Sequence, residues 1–385
     1  MSQNFTLISE DKNCAARAGV IHTDHGDVLT PVFMPVGTAA TVKSLAAEDL
    51  KALGAEIILN NAYHLHLRPG EDTVQALGRV HGFQKWDRAI LTDSGGYQVF
   101  SLALKGGEHD APVKIDEDGV TFKSHLDGSS HRFTPEVSVR IQQKLGADII
   151  MAFDQCTTDT APESEARAAM DRTHRWAERC LAAFADKTDA PPWKQQMFGI
   201  VQGGIWPDLR RESAAKIAAL PFDGFAIGGE SIGHNMARTA ETLGWIADLL
   251  PQGKARYSMG VGLSPGDLFA VVERGIDMFD CVAPTRQARN GALYCHAQGA
   301  AKKWRLEIGN KQFERDEKPI DPKCSCPTCR VHTRAYLRHL FLSEELAYYR
   351  LATIHNVHFM LELMRQMRQA IMEDRFTAFR DEWLA

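Results

Sequence analysis

The stretch Ala89-Ile90-Leu91-Thr92-Asp93-Ser94-Gly95-Gly96-Tyr97-Gln98 ends an apolar, β-rich run with an aspartate and then opens a glycine turn. A similar arrangement returns at Asp277-Met278-Phe279-Asp280-Cys281-Val282-Ala283-Pro284. A carboxylate at the C-terminal end of a strand is where α/β barrels keep their reacting groups. For a single aspartate, a helix N-cap or a turn is the commoner role. The prediction therefore depends on how often the pattern recurs along the chain.

Apolar runs of strand length recur eight times, and amphipathic segments separate them. The predicted strands are residues 30–36, 56–61, 89–93, 148–154, 197–202, 224–229, 256–260 and 278–282. Nearly continuous apolar strands that alternate with helices indicate a parallel sheet covered on both faces. Eight such units predict an α/β fold closed into a (β/α)8 TIM barrel. An open doubly wound sheet is the alternative, but no Gly-x-Gly-x-x-Gly turn follows the first strand.

The remaining parts of the chain are predicted to surround the barrel. Residues 1–29 are expected to form N-terminal capping strands, and the barrel to span residues 30–283. Within it, Asp-Gly pairs between β-like runs predict a hairpin insertion over residues 105–133. Residues 284–360 hold a cysteine cluster and are predicted to be a zinc-binding subdomain, followed by a C-terminal helix over residues 361–385.

Composition excludes several classes of protein. Of 385 residues, 44% are hydrophobic and 24% are charged, which is ordinary for a globular protein. The chain has no run of about 18 apolar residues, and its first residues lack the basic and apolar regions of a secretory signal. We therefore expect no membrane contact and a cytoplasmic location. The net charge of −5 argues against non-specific nucleic-acid binding but allows a local basic patch.

Three of the eight cysteines crowd into one loop, Cys324-Ser325-Cys326-Pro327-Thr328-Cys329, and His355 follows 25 residues later. Without a secretory signal, a metal site explains the cluster better than disulfides do. Three thiolates and one imidazole predict a closed tetrahedral site for structural Zn²⁺, one ion per chain. His358, one helical turn further on, is the alternative fourth ligand, and we favour His355. Four protein ligands leave no open position, so this metal is not expected to be catalytic.

Four segments together resemble the bacterial type of the queuine tRNA-ribosyltransferase (tRNA-guanine transglycosylase) family. They are residues 91–98, 199–204, 278–291 and the cysteine site. The resemblance covers nearly the whole chain, from the start of the barrel to the helix around His355. It implies a zinc-bearing (β/α)8 homodimer that exchanges the wobble guanine of tRNAs with a G-U-N anticodon, those for aspartate, asparagine, histidine and tyrosine. The incoming base would be the queuosine precursor 7-aminomethyl-7-deazaguanine.

Base exchange explains why two carboxylates would be needed. Replacing a base at ribose C1′ with retention requires two displacements through an oxocarbenium-like state, as in a retaining glycosidase. One carboxylate attacks and holds the ribose covalently, while another group moves protons to the departing base and from the incoming one. The resemblance assigns the nucleophile to Asp280 and the general acid/base to Asp93.

The resemblance also implies a pocket for the base. Asp154, at the end of the fourth strand, would accept from the N1–H and the exocyclic amine of guanine. Gln202 and the backbone N–H of Gly229 would donate to the guanine carbonyl. Tyr97 and Met259 would lie on opposite faces of the ring. Taken without the resemblance, these two side chains are more often core residues.

Basic residues directly after the nucleophile are candidates for the tRNA interface. By resemblance, Arg286 and Arg289 contact anticodon bases or phosphates. Lys302, Lys303 and Arg305 extend the basic strip as a weaker prediction.

The segment Gly228-Gly229-Glu230-Ser231-Ile232-Gly233-His234 departs from the commoner Gly-Gly-Leu-x-Val-Gly-Glu of the family. Queuine carries a cyclopentenediol that needs space beside the pocket, and the β-branched Ile232 is bulky and stiff there. Cys156 occupies the other position beside that space. Glu230, or a backbone carbonyl near it, is an acceptor for the cationic aminomethyl group. The segment predicts use of the small precursor, with queuine a poor substrate.

Two other functions compete with this one. Tyr63-His64-Leu65-His66 and Asp280 are pieces of a metal-dependent amidohydrolase barrel, but Gln202 and Gly229 stand where later histidine ligands would be needed. A non-catalytic tRNA-binding partner subunit is the second alternative. The joint presence of the residues assigned to ribose and base argues against it.

Overall fold

The N-terminal part of the chain forms an antiparallel sheet that covers one end of a barrel. The structure is a computed structural model that describes residues 4–104 and 113–385. The sheet contains β1 (Phe5–Glu10), β2 (Arg17–Thr23) and β3 (Gly26–Thr30), in that order. Its contacts reach residues that precede barrel strands, such as Glu56, whose carboxylate accepts from the Leu29 backbone N–H at 2.6 Å. The sheet therefore lies against the N-terminal ends of the barrel strands.

Eight parallel strands close the barrel in the order in which they occur along the chain. The strands after β3 are β4 (Val32–Gly37), β5 (Ile57–Asn60), β6 (Ala89–Thr92), β7 (Lys114–Ile115), β8 (Val120–Lys123), β9 (Ser130–Phe133), β10 (Ile149–Met151), β11 (Gln196–Val201), β12 (Gly224–Ile227), β13 (Ala255–Ser258) and β14 (Met278–Cys281). All except β7, β8 and β9 belong to the barrel, and β14 pairs with β4 to close it. The predicted (β/α)8 fold is confirmed.

Helices follow the barrel strands along the chain, and the last four come after the barrel is complete. They are α1 (Ala47–Ala52), α2 (Ala62–Leu67), α3 (Glu71–Ala76), α4 (Arg79–Gln84), α5 (Gly96–Leu104), α6 (Pro135–Leu145), α7 (Glu163–Ala185), α8 (Pro207–Ala218), α9 (Met236–Ile246), α10 (Asp267–Val272), α11 (Ala283–Arg289), α12 (Pro327–Val331), α13 (Arg334–Leu342), α14 (Leu346–Met372) and α15 (Phe376–Leu384). No helix in the described ranges is both long and apolar enough to span a lipid bilayer.

Helix α6 shows how local sequence sets the limits of these elements. Thr134 caps its first turn, because the Thr134 side chain accepts from the Val137 backbone N–H, and Pro135 occupies the first helical position. Gly146 ends the helix with φ 75°, a left-handed conformation that glycine adopts without strain. Local residues therefore fix both ends of α6, the helix that precedes β10.

The insertion after β6 contains a small antiparallel sheet of β7, β8 and β9. Phe122 on the central strand and Phe133 on the neighbouring β9 pack edge to face at 5.1 Å, and Phe122 also contacts Tyr63. The predicted hairpin over residues 105–133 falls partly on residues 105–112, which lie outside the described residues. Within residues 113–133 there are three strands rather than two.

The C-terminal part adds β15 (Ala292–Tyr294) and β16 (Arg305–Glu307), which pair with each other and lie close to helices α11 and α14. Helix α14 belongs to two cores. Tyr348 and Ala352, near its start, are buried with the cysteine cluster, while Met360 and Met364 are buried in the main cluster of the barrel. The predicted boundary between residues 360 and 361 therefore falls inside one continuous helix.

Candidate active site

Asp93 directly follows β6 and is 6% exposed at the C-terminal end of the barrel. Its carboxylate accepts hydrogen bonds from the Ala62 backbone N–H at 2.8 Å, from the Gln98 side-chain amide at 2.6 Å and from the Asn61 side-chain amide. Burial, together with the negative charge of Asp280, raises the pKa of Asp93 to about 6. A carboxyl group with that pKa exchanges its proton readily near neutral pH, as a general acid/base must.

Asp280 lies on the last barrel strand, β14, and is half-buried. The Tyr257 hydroxyl donates to Asp280 Oδ1 at 2.6 Å, and the Gly260 backbone N–H donates to the same oxygen at 2.9 Å. Burial raises the pKa of Asp280, while these two donors act in the opposite direction. Because both donors hold one carboxylate oxygen, they fix the direction of the other, as an attacking carboxylate requires.

Asp154 follows β10, and its carboxylate contacts Gln202, which directly follows the next barrel strand, β11. The Gln202 side-chain amide donates to Asp154 Oδ2 at 2.7 Å, and Ser94 also hydrogen-bonds to this carboxylate. Burial raises the pKa of Asp154 to about 6. A Cβ on Gly96 would lie 2.8 Å from the Asp154 carbonyl oxygen, so glycine is required at that position. The glycine turn after Asp93 is therefore part of the wall that holds Asp154.

The backbone around Gly229 is held by a buried arginine. Arg210, on α8, donates to the carbonyl oxygens of Gly228 at 2.7 Å, Val201 at 3.1 Å and Gly204 at 2.7 Å. It is 1% exposed, and burial lowers its pKa to about 10. No ion pair joins it to a carboxylate among the described residues. Its hydrogen bonds tie the end of β11 to the end of β12, and so align Gln202 with Gly229.

Tyr97 and Met259 lie at the same end of the barrel. Tyr97 is in the first turn of α5 and is 42% exposed, and burial of part of the side chain raises its pKa, with smaller contributions from Cys156 and Glu230. Met259 directly follows β13 and is half-buried, with its backbone N–H donating to Ile227 at 3.3 Å. Their stacking on a base stays a prediction.

The segment 228–234 packs against the loop that follows β10. The Glu230 carboxylate accepts from the Asp159 backbone N–H at 2.6 Å through Oε2, and the Ser231 hydroxyl donates to the Asp159 carboxylate at 3.3 Å. Ile232 is 3% exposed, and its Cγ1 lies 3.4 Å from the place that a Cβ on Gly229 would take. The side chain of Ile232 therefore fills the space directly beside Gly229.

Arg286 and Arg289 project from α11, the helix that directly follows the strand of Asp280. Arg286 is exposed, and Arg289 is half-buried, with its guanidinium donating to the Thr285 carbonyl at 3.0 Å. Burial and the neighbouring Arg286 charge lower the pKa of Arg289. Across the described ranges neither arginine forms an ion pair with a carboxylate. Both charges remain available to an anionic partner.

His64 and His66, which the amidohydrolase alternative would use as metal ligands, do not converge on a common metal site. His66 hydrogen-bonds to the Glu71 carboxylate at 2.7 Å and to His131 at 2.9 Å. Neither His64 nor His66 belongs to a group of converging metal ligands in the described part of the chain. The arrangement that this alternative needs is not formed there.

The candidate metal site brings together the four predicted residues, Cys324, Cys326, Cys329 and His355. The three sulfur atoms lie 3.6, 3.5 and 3.3 Å from His355 Nδ1. Around Zn²⁺, sulfur and nitrogen ligands at about 2.3 and 2.0 Å would be about 3.5 Å apart at tetrahedral angles. The other ring nitrogen of His355 meets the Tyr294 carbonyl at 2.6 Å, which sets the tautomer for binding through Nδ1. The donor set and its spacing fit a metal ion. His358 Nδ1 lies 3.5 Å from Cys324 Sγ but does not belong to the group of four mutually close ligand atoms.

Several residues that support the site do not belong to any recognisable sequence motif. Tyr257 and Arg210 read as ordinary core or surface residues in a strand and a helix, and only their three-dimensional contacts reveal them. Asn61 ends the second predicted strand, the same kind of position that singled out Asp93. Its place at a strand end is the feature by which Asn61 could have been found in the sequence.

Three buried or half-buried carboxyl groups at the C-terminal ends of parallel strands define a TIM-barrel enzyme with a separate cluster of potential metal ligands outside the barrel. The family model described as queuine tRNA-ribosyltransferase matches residues 11–385. The chain therefore belongs to the queuine tRNA-ribosyltransferase family.

Curated relatives with the same description match nearly the whole of this chain. A queuine tRNA-ribosyltransferase of Herpetosiphon aurantiacus is 53% identical over 382 residues, which is 99% of this chain and 92% of that protein. One of Acetivibrio thermocellus is 50% identical over 382 residues, 99% of this chain and 97% of that protein. One of Dehalococcoides mccartyi is 48% identical over 385 residues, 100% of this chain and 93% of that protein.

Proposed function

We propose that the protein is a tRNA-ribosyltransferase that exchanges the wobble guanine of G-U-N tRNAs for 7-aminomethyl-7-deazaguanine in queuosine biosynthesis. The observation that carries this proposal is the pairing of two unlike carboxyl groups in one site. Asp280 is aimed by two donors on one oxygen, while Asp93 has a pKa of about 6. This is the division of labour that a retaining glycosyl transfer requires.

In the first step, Asp280 attacks C1′ of the ribose. The bond between C1′ and guanine N9 breaks, its electron pair leaves with the base, and a C1′–O bond to Asp280 forms. Asp93 in its acid form donates the proton that neutralises the departing base. The hydrogen bonds from Tyr257 and Gly260 stay on the carboxylate and orient it during attack.

In the second step, the flow of protons and electrons reverses. Asp93, now a carboxylate, takes the N9 proton of the incoming base, whose nitrogen attacks C1′ from the opposite side. The ester bond breaks, and Asp280 leaves as a carboxylate. Two inversions give overall retention at C1′.

Base recognition is proposed to come from the pair Asp154 and Gln202, with Gly229. Asp154 presents a buried carboxylate to two donors of the guanine edge, the N1–H and the exocyclic amine. The Gln202 amide, which donates to Asp154 in the structure, would donate to the guanine carbonyl together with the Gly229 N–H. Tyr97 and Met259 would stack on the two faces of the ring.

Selection of the small precursor is proposed to depend on Ile232 and Glu230. Ile232 and Cys156 are both buried beside the pocket, which leaves little room for a cyclopentenediol. Glu230 is fixed through Oε2 by the Asp159 N–H, so its carboxylate is held ready for the cationic aminomethyl group. Ile232→Gly should therefore raise the rate with queuine. Equal rates with both bases in the unaltered protein would contradict the steric argument.

The Cys₃His group is proposed to hold one structural Zn²⁺, because its four ligands leave no position for a substrate. When bound, the ion would cross-link the loop of Cys324, Cys326 and Cys329 to α14 through His355. Since α14 also packs on the barrel, the ion would connect the small C-terminal core to the large one.

The proposed partner is tRNA, contacted by Arg286 and Arg289 beside the nucleophile. Lys302 and Lys303 are exposed and would continue that surface. We also propose that two copies of the chain form a homodimer and that the protein works in the cytoplasm, with its tRNA substrate.

The decisive experiment is exchange of radiolabelled guanine into an unmodified G-U-N tRNA, run beside a denaturing gel of protein mixed with tRNA. The unaltered protein should incorporate label and form a slow-migrating covalent adduct. Asp280→Ala should do neither, while Asp248→Asn, an exposed carboxylate paired with Arg211, should behave as the unaltered protein does. An adduct in Asp280→Ala would reject the nucleophile assignment. Binding of tRNA without exchange would instead support a non-catalytic partner subunit.

A further inference from the structure

The hydrogen-bond partners of the Asp93 carboxylate are all donors. Its Oδ1 accepts from the Ala62 backbone N–H at 2.8 Å, and its Oδ2 accepts from the side-chain amide of Gln98 at 2.6 Å and from that of Asn61. No cation pairs with Asp93 within the described ranges. These partners satisfy the carboxylate form, and as oriented here they offer no acceptor to the O–H of the acid form.

The acid form of Asp93 is nevertheless easily reached. Burial and the negative charge of Asp280, on β14, raise the pKa of Asp93 to about 6. Tyr257, on β13, is the other titratable group that faces Asp93, and its hydroxyl donates to Asp280 instead. Both forms of Asp93 are therefore populated near neutral pH, and each needs a partner that suits it, because an unpaired buried polar group costs free energy.

An unused acceptor lies next to the same carboxylate oxygen. The Gln98 Oε1 atom is buried and has no hydrogen-bond partner in the described part of the chain. A primary amide carries a donor and an acceptor on one planar group, so a half-turn about its last side-chain bond exchanges Nε2 and Oε1 with little change in shape. Asn61 donates to the same oxygen, but its own carbonyl oxygen is not one of the buried atoms without a partner. Gln98 is thus the amide with an acceptor to spare.

Gln195, just before β11, shows why the neighbouring group matters. Its Nε2 donates to the Ala147 carbonyl at 2.7 Å, and its Oε1 is also buried without a partner among the described residues. A carbonyl oxygen only accepts, so that amide has one useful orientation. Gln98 instead faces a carboxyl group, which accepts when it is charged and donates when it is protonated. Of the two glutamines, only Gln98 has a use for both orientations.

We propose that Gln98 is a positioning residue whose amide reverses each time Asp93 gains or loses its proton. With Asp93 as a carboxylate, Gln98 Nε2 donates to Oδ2, as in the structure. With Asp93 as an acid, the O–H on Oδ2 donates to Gln98 Oε1. The inference rests on the proposed function, because the two steps of base exchange use these two forms of Asp93 in turn.

The reversal allows one site to hold both forms of Asp93 without movement of the backbone. In the first step the proton passes from Asp93 to the departing base, and Gln98 Nε2 returns to the carboxylate that is left. In the second step Asp93 takes the N9 proton of the incoming base, and Oε1 accepts from the new acid. Gln98 itself neither gains nor loses a proton, so it acts only through Asp93.

The direct test follows the side-chain carbonyl carbon of Gln98 by NMR, in full-length protein with ¹³C-labelled glutamine. Its signal is identified by its loss in Gln98→Met. Lowering the pH through about 6 should move this carbon downfield, because its oxygen begins to accept from an O–H. In Asp93→Asn, where the neighbouring group no longer titrates, the signal should not change over this range. A carbon that stays in place or moves upfield in the unaltered protein would overturn the proposal, whether or not the protein exchanges bases.

Exchange assays test the consequence for the reaction. Gln98→Met keeps the length of the side chain and removes both faces of the amide, so exchange per folded molecule should fall by about tenfold or more. The lost bond to the carboxylate is charge-assisted and is the stronger of the two, so the pKa of Asp93 should rise. The pH above which adduct formation declines should therefore increase by about 0.5–1 pH unit.

Gln195→Met is the matched control, and it should leave both the exchange rate and its pH profile unchanged. An unchanged rate or an unchanged pH profile in Gln98→Met would overturn the role of Gln98. Absence of exchange in the unaltered protein would instead reject the proposed function.

Discussion

The last barrel strand carries two aspartates, one at each end, and their surroundings differ in kind. Asp277, just before β14, is fully buried and receives two hydrogen bonds from the Arg17 guanidinium, at 2.9 and 2.5 Å. Asp280, on the same strand, receives its bonds from the neutral donors Tyr257 and Gly260. Three positions along one strand thus separate a neutralised carboxylate from one with no cationic partner.

The fourth barrel strand repeats this contrast. At its start, Asp148 meets His25 and His81, and at its end Asp154 meets Gln202. Burial acts to raise the pKa of Asp148, but the hydrogen bonds and charges of the two histidines outweigh it and hold that pKa below its usual range. With neutral partners only, burial raises the pKa of Asp154 to about 6.

The difference shows how one fold separates stability from chemistry. Charged or ionisable partners at the N-terminal end satisfy a buried carboxylate completely, which stabilises the fold and leaves nothing to react. Neutral donors at the C-terminal end orient a carboxylate but leave its charge uncompensated. Burial raises the pKa of both Asp277 and Asp280, so on this strand it is the charge of the partner that distinguishes the two ends. The same residue type therefore serves two purposes at the two ends of each strand.

The largest expected effect comes from Asp280→Asn. The amide keeps the shape of the side chain but cannot attack C1′, so guanine exchange should fall by about 10⁴-fold or more. Because no cation faces Asp280, the free energy of unfolding should not fall. Exchange assays and urea unfolding on the same preparation measure both. A large loss of stability would mean that the two ends of the strand do not differ as described.

Asp277→Asn should produce the opposite pattern. Removing this carboxylate leaves Arg17 buried without a negative partner, which should lower the free energy of unfolding by about 3–5 kcal/mol. The folded fraction should retain its exchange activity, since Asp277 does not face the pocket. Urea unfolding and the exchange rate per folded molecule, compared with Asp280→Asn, test this. Unchanged stability would show that the Arg17 pair is dispensable.

The pKa of Asp154 predicts opposite pH dependences for stability and for base binding. Its folded pKa, about 6, exceeds the usual 3.8, so the unfolded carboxyl loses its proton first as pH rises. The destabilisation grows between about pH 4 and pH 6 and reaches about 3 kcal/mol above that range. In the role proposed for Asp154, guanine binding needs the carboxylate, so the KM for guanine should rise as pH falls below about 6, by up to about tenfold per pH unit.

Urea unfolding and guanine KM at several pH values, each measured with and without Asp154→Asn, check both signs. The variant should show weak binding that does not change with pH, and it should lack this contribution to the pH dependence of stability. A guanine KM that is independent of pH in the unaltered protein would contradict the assignment of Asp154 to the guanine edge.

The smallest effect is expected at Glu230. Glu230→Gln keeps an acceptor for the Asp159 N–H but removes the negative charge beside the pocket. The KM for the cationic aminomethyl base should rise by about three- to tenfold, as for loss of one partly exposed charge pair of about 1 kcal/mol. The KM for guanine, which lacks the aminomethyl group, should stay the same. A matched change for both bases would indicate a structural role instead.

Much of the fold could be predicted because its signals are periodic and local. Most barrel strands are largely apolar and are followed by a turn, so all eight could be found from residues within a short window, although β13 contains Arg256 and Ser258. The boundary between residues 360 and 361 shows the limit of this approach. Helix α14 keeps an apolar pattern throughout, and nothing in that pattern shows that its two halves belong to different cores.

The candidate site, like the fold, could be predicted only in part from the sequence. Asp93, Asp154 and Asp280 stand out because each is a carboxylate at a strand end. Their supports, such as Tyr257 and Arg210, do not stand out. A tyrosine in a strand and an arginine in a helix are ordinary residues until the fold shows that one is bound to Asp280 and the other to three carbonyl oxygens.

The sequence by itself determined the barrel, the strand ends that carry carboxylates and the cysteine loop with its histidine, because each of these depends on residue types at short, regular spacing. Only the tertiary structure decided which carboxylates are neutralised and which are not. Arg17 reaches Asp277 across 260 positions, and His25 reaches Asp148 across 123. Such pairs are formed by the closure of the barrel and the docking of the N-terminal sheet, and distances of that length along the chain leave no periodic trace.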